Sequence, residues 1–150
     1  MTPYRHLVRV PFHDVDSMRV VWHGHYVNYF EQARCGFFRH HGLSYLDMES
    51  AGFMLPVVSL QVKYVHPCLF DQEIAIDVEW DETNTNLLVL NYRVSDAASG
   101  KTLCKATTRH AAIDARTREV LFELPPEFVR RLLAPVPRHD ADTPGARTPQ

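Results

Sequence analysis

Gly24-His25-Tyr26-Val27-Asn28-Tyr29-Phe30-Glu31-Gln32-Ala33-Arg34-Cys35-Gly36-Phe37-Phe38-Arg39-His40-His41-Gly42 is the stretch whose reading decides the fold. Tyr26, Tyr29, Phe30, Ala33, Phe37 and Phe38 recur mostly at steps of three and four, the spacing of a helix that buries one face. Gly42 stands where a helix-ending glycine belongs, so the spacing predicts a helix over about 24 to 41. Gly36 weakens it by ~1 kcal/mol relative to alanine and leaves room for another backbone to come close.

On both sides the hydrophobic period is closer to two. Tyr4 to Phe12 reads as a strand ahead of the helix. After Gly52 come Val57–Val65, Glu73–Asp81, Leu87–Val94 and Leu103–Ile113. In the second of these Ile74, Ile76, Val78 and Trp80 point inward, and Glu73, Ala75, Asp77 and Glu79 outward. Asn84-Thr85-Asn86 and Asp96 to Gly100 supply turn chemistry between them. A fifth short strand is expected near Val120-Leu121, and Pro125-Pro126 opens a last small helix from Glu127 to Leu133. Short connections make the sheet antiparallel, and one aromatic-faced helix laid on it is an α+β layer pair. The domain is expected over 1–134, with a disordered tail from Pro135 to Gln150. Edge strands of so small a sheet call for pairing with a second copy.

The chain has 150 residues, 45% hydrophobic and 23% charged, which suits one water-soluble core. A formal net charge of −2 and the lack of a basic run argue against a nucleic-acid partner. Cys35, Cys68 and Cys104 are widely spaced and read as reduced, mostly buried thiols. With neither a signal-peptide core nor a transmembrane stretch, the expected location is the cytoplasm.

The chemistry lies just ahead of the helix, in Phe12-His13-Asp14-Val15-Asp16-Ser17-Met18-Arg19-Val20-Val21-Trp22-His23-Gly24-His25-Tyr26. Two carboxylates precede a helix N-terminus, whose first amides lack internal partners and carry positive potential. Such amides polarise a carbonyl oxygen, and a neighbouring carboxylate attacks that carbonyl or activates water against it. Spacing alone leaves an alternative open, in which Asp14 and Asp16 only structure a turn.

The run Asp14 to Tyr26, followed by Tyr29-Phe30-Glu31-Gln32-Ala33-Arg34, resembles the hotdog-fold acyl-CoA thioesterases of the 4-hydroxybenzoyl-CoA thioesterase type. Within them it is similar to the subgroup typified by the thioesterase encoded with the bacterial Tol-Pal system. The strand order over about residues 4 to 122 is similar to the hotdog pattern, a long central helix wrapped by a five- to six-stranded antiparallel sheet. The resemblance implies hydrolysis of an acyl-CoA or acyl-carrier-protein thioester, with Asp16 as nucleophile or general base. It implies that His23 and Tyr26 line the site and that amides near Gly24 and His25 hold the thioester oxygen. Arg19, His25 and Tyr29 then belong to the substrate-binding side. It implies a homodimer or homotetramer, and neither a cofactor nor a metal is expected.

Two positions depart from that pattern. Arg19 stands where the family usually has glycine, which questions the turn geometry, and a cation there would keep Asp16 ionised. His25 stands where asparagine is common. Glu31 reads as a buried or interface hydrogen-bonding group or, alternatively, a second carboxylate of the site, and Lys63, Lys101, Lys105 and Arg109 as scattered surface charge or, alternatively, contacts for CoA phosphates. His23 and His25, two residues apart, do not supply the three or four convergent ligands a zinc ion needs. Competing functions are a hotdog dehydratase or hydratase, of which His66-Pro67 is a faint echo, and an acyl-thioester-binding protein without catalysis.

Overall fold

The structure, a computed structural model, describes residues 3–136. Its elements in chain order are β1 (Tyr4–Arg9), α1 (His25–His40), α2 (Tyr45–Ser50), β2 (Phe53–Met54), β3 (Val57–Tyr64), β4 (Glu73–Trp80), β5 (Leu87–Asp96), β6 (Thr102–Ala111), β7 (Ile113–Asp114) and α3 (Pro126–Leu133). Five strands form one sheet in the order β1-β4-β5-β6-β3, with every neighbour antiparallel, and β2 pairs with β7 apart from it. The α+β class and the antiparallel sheet follow the sequence expectation.

The longest helix, α1, has 16 residues and so runs for about 24 Å. It packs across β1 and β4. Tyr26, Tyr29, Phe30, Ala33, Phe37 and Phe38 are all sealed from solvent, as the period predicted. Phe30 meets Tyr92 of β5 with ring centres 5.0 Å apart. Past His40 the chain turns through Gly42 at φ +71, and the Leu43 amide returns to the Phe38 carbonyl at 2.8 Å. Gly36 accommodates a side chain, not a backbone: a Cβ there would clash with the Tyr4 hydroxyl.

Several expectations are corrected. β1 stops at Arg9, since Pro11 is followed by a single 3-10 turn over Phe12–Asp14. Ala75 is buried although alternation points it outward, in a row between Leu7 and Ser95. The stretch near Val120-Leu121 makes only an isolated bridge, Val120 to Ile113. The strand expected over Leu103–Ile113 breaks in two, β6 and β7. Helix α2 was not anticipated, yet Ser44 and Asp47 cap it reciprocally at 3.1 and 2.9 Å. Helix α3 begins with Pro126 and inserts Phe128 and Leu132 into the core. Of the expected tail, 137–150 lies outside the described residues.

Candidate active site

The loop between β1 and α1 is sewn down at several points. Val15 and Val21 form an antiparallel bridge, and the Asp16 amide donates to the Val20 carbonyl at 2.9 Å. Between them Asp16-Ser17-Met18-Arg19 closes a tight turn, the Arg19 amide donating to the Asp16 carbonyl at 2.9 Å. Arg19 takes φ +64, the left-handed conformation that glycine adopts without strain. The unusual residue therefore does not change the turn. Its guanidinium makes no ion pair with Asp16 among the described residues, so the expected stabilising cation is not delivered by direct contact.

The Asp16 carboxylate is half-buried and accepts the Met18 amide at 2.8 Å. Both of its readings, turn-former and reactive group, are compatible with that one bond, since the second oxygen is left to an incoming group. Asp14 is the more deeply held carboxylate. It is 9% exposed and accepts the Tyr29 hydroxyl at 2.6 Å. His13 and His25 approach its other oxygen at 3.4 and 3.9 Å. Burial first, and then the Asp14 carboxylate, push the Tyr29 phenol well above its ordinary range, so Tyr29 donates and does not ionise.

Helix α1 opens at Gly24 with no side-chain cap and no acidic residue in its first turn. Gly24 lies against the Trp22 ring, so a Cβ there would force the half-exposed indole to move. The His25 amide, expected to face the substrate, instead donates to the Trp22 carbonyl at 2.9 Å. The amides next in line, of Tyr26 and Val27, belong to the first turn, which has no internal partners for them. His23 is exposed, and its carbonyl accepts the Tyr64 hydroxyl at 2.7 Å. Tyr26 is only 2% exposed. Its hydroxyl accepts the Cys68 amide at 3.1 Å, and burial raises its phenol as well.

The structure thus gathers Asp14, His25 and Tyr29 into one cluster and keeps Asp16 with Arg19 in the adjoining turn. His23 and Tyr26 make their hydrogen bonds to Tyr64 and to Cys68, and the Tyr26 ring packs against both Tyr64 and Tyr29, with centres 4.9 and 6.2 Å apart. Beside the cluster a cleft of about 470 Å³ is lined by His13, Asp14, Asn28, Glu31, Gln32 and Cys35, with Arg39 at its end. Glu31 is exposed there and not buried. Cys35 is half-buried, and burial, followed by Glu31, raises its thiol, which disfavours a thiolate nucleophile. Cys68 and Cys104 are buried free thiols, Cys104 pushed up to about 12. The sequence did not point to Tyr64 as a clamp, because its partner is a backbone carbonyl 41 residues away. Nor did it separate the roles of Asp14 and Asp16. The one available signal was Tyr29, whose place a turn beyond His25 on α1 aims its hydroxyl back at the loop.

Among the described residues no three His, Cys, Asp or Glu side chains converge as a metal site would require, and no helix is long and apolar enough to cross a membrane.

Residues 10–132 match the model of the thioesterase-like superfamily. The chain belongs to the thioesterase-like superfamily. Known proteins resemble it across most of its length. The Synechocystis protein sll0410 is 31% identical over 127 residues, 85% of this chain and 76% of that one. The acyl-CoA thioester hydrolase YbgC of Escherichia coli is 31% identical over 96 residues, 64% of this chain and 72% of that one. Among solved structures, TT1821 from Thermus thermophilus superposes with a TM-score of 0.77 at 28% identity, covering 86% of this chain and 96% of that one. The 1,4-dihydroxy-2-naphthoyl-CoA thioesterase Slr0204 from Synechocystis superposes at 0.78 with 20% identity, covering 87% and 95%, a likeness of fold. The five-stranded antiparallel sheet of this superfamily member matches those neighbours.

Proposed function

We propose that this member of the superfamily hydrolyses an acyl-CoA thioester to free acid and thiol, with Asp16 as nucleophile or general base. The observation that carries this reading is the position of Asp16: one carboxylate oxygen is fixed by the Met18 amide at 2.8 Å, in a turn just ahead of an uncapped helix N-terminus. The first amides of α1, Tyr26 and Val27 after the correction for His25, polarise the thioester carbonyl. Negative charge growing on the carbonyl oxygen in the transition state is met by donors already in place. Asp16 then attacks the carbonyl carbon directly or takes a proton from the attacking water. In the direct route an acyl-aspartyl anhydride forms as the thiolate leaves, and water resolves it.

In this reading Gly24 keeps the helix entrance open, and His25, Tyr29 and Asp14 hold the loop against α1. Arg19 and His23, both exposed, flank the thioester. Tyr26 acts from beneath through its ring and its Cys68 bond. The fold is read as a hotdog with α1 as the wrapped helix. The block Asp14 to Tyr26 favours the Tol-Pal-associated type. The edge strand β3 exposes Val57, Val58, Leu60 and Tyr64, which supports a homodimer or a tetramer of such dimers. Polarisation by the helix end leaves a metal ion and a cofactor without a task. The location is read as cytoplasmic, where acyl-CoA substrates occur.

A panel of acyl-CoAs of varied chain length and aromatic character, assayed for free thiol, tests the proposal. Thiol release supports it. Reversible loss of water from a 3-hydroxyacyl thioester, or binding without turnover, overturns it.

A further inference from the structure

Lysines that look scattered in the sequence come together across the sheet. The register sets Lys63 of β3 opposite Lys105 of β6, and Lys105 opposite Arg93 of β5. The row continues through Asp77 of β4 to Arg5 of β1. Directly opposed side chains share a face, so all five project from one side of the sheet. It is the side away from α1, because Ile76, Val78, Leu90 and Tyr92, the inward residues, occupy the alternate positions.

The charges in this row are not balanced. Asp77 is held in a two-pronged pair by Arg5 at 2.8 and 3.0 Å. Arg93 is braced by the Thr102 hydroxyl at 3.0 Å and the Gly100 carbonyl at 2.7 Å, neither of them an anion. The Lys63 and Lys105 ammonium groups make no hydrogen bond or ion pair among the described residues. Three cations therefore stand on adjacent strands over about 10 Å, an arrangement that costs stability in an empty sheet.

The face is also shaped. A depression of about 330 Å³ is lined by Gln61, Lys63, Asn91, Lys105 and Thr107. Thr107 donates its hydroxyl to the Asn91 amide oxygen at 2.8 Å, which leaves the Asn91 NH₂ group as an outward donor. Glu79, opposite Asn91, is the nearest carboxylate of that next row and lies two strands from Lys105. Lys63, Lys105 and the Asn91 amide bring cations and a donor together, with the one carboxylate of the row, Asp77, already paired to Arg5, and that suits a phosphoryl group.

We propose that Lys63, Lys105 and Arg93, with Asn91, form a phosphate-binding row that takes the nucleotide end of a coenzyme A thioester. This deepens the reading of Asp16 as the thioester-cleaving group and rests on it. Lys63 and Tyr64 are the last two residues of β3 and face opposite sides, and Tyr64 clamps His23 beside the reacting end. A pantetheine arm passes from one to the other around the end of the strand, not through the sheet.

The test uses the whole protein and the double variant Lys63→Gln, Lys105→Gln, in which two exposed like charges are removed and the fold is not endangered. Calorimetry with adenosine 3′,5′-bisphosphate should show binding to the parent protein, weakened about tenfold or more in the variant. The KM for an acyl-CoA should rise by a similar factor, with kcat unchanged and with no effect on the same acyl group carried by pantetheine. No bisphosphate binding by the parent protein, or equal losses on both thioesters, overturns the proposal. A loss confined to acyl-carrier-protein substrate, with bisphosphate binding intact, also overturns it, in favour of docking by an acidic protein surface. Bisphosphate binding that depends on the lysines in a protein that turns over neither thioester supports the row and rejects the hydrolase reading.

Discussion

Tyr29 donates its hydroxyl to Asp14 at 2.6 Å, a single buried bond that fastens the reactive loop to the helix it precedes. Hydrogen bonds to a charged group contribute roughly 1.5–3 kcal/mol. Tyr29→Phe leaves a buried carboxylate oxygen without its donor. It should lower unfolding stability by about that amount in urea, at an unchanged slope. A loss below about 0.5 kcal/mol would mean that the bond contributes no more than an ordinary surface contact.

Arg19 bears strain that a glycine in its place would avoid. At φ +64, a residue with a Cβ costs about 1–2 kcal/mol. Arg19→Gly should therefore raise stability by up to about 1 kcal/mol, after the extra chain entropy of glycine is set against the gain. Arg19→Val should lower it, because a β-branched residue tolerates the left-handed region least. Thermal unfolding of the two variants checks the sign.

The fold could be read early because its signals are local and repeated. The stripe from Tyr26 to Phe38 and the alternation of Ile74, Ile76, Val78 and Trp80 each recur over several turns or pleats, and burial follows them. Helix α2 was missed because six residues carry too little periodicity, although Ser44 and Asp47 spelled its cap. The site was only half legible. Asp14 and Asp16 are two residues apart in a loop of irregular geometry, and no period tells which one turns toward Tyr29. The pairing of Lys63 with Lys105 is 42 residues long-range and follows only from strand register.

Three histidines held down by burial, His6, His41 and His110, make stability depend on pH, and the last two are shifted furthest. Burial holds His110, between the Leu55 carbonyl and the Thr108 hydroxyl, down to about 4. Burial, and then His40, does the same to His41, again to about 4. Both are neutral in the folded protein and titrate near 6.5 when unfolded. Their contribution is complete above 6.5 and is lost as pH falls from there toward 4, with an upper bound of ~3 kcal/mol for His110. Urea midpoints should fall as the buffer is taken from above to below this window. His110→Gln should flatten that fall. A midpoint that does not move, or that rises, would contradict the burial of neutral imidazoles.

The β3 edge carries the assembly prediction. Light scattering should show no monomer of 17.3 kDa at micromolar concentration. Val58→Lys with Leu60→Lys, on the exposed positions of that edge, should release one. A fully active parent monomer would remove the pairing from the account.

The central claim is that Asp16 performs the chemistry while Asp14 holds the loop. Thiol release by Asp16→Asn and Asp14→Asn, each first confirmed to be folded, compares them directly. Asp16→Asn should lower kcat by ~100-fold or more, as expected for a lost nucleophile or base. Asp14→Asn keeps an oxygen for the Tyr29 hydroxyl and should lose stability more than turnover. Near-normal kcat in folded Asp16→Asn, with turnover abolished in Asp14→Asn, would assign the chemistry to the buried carboxylate and contradict the mechanism.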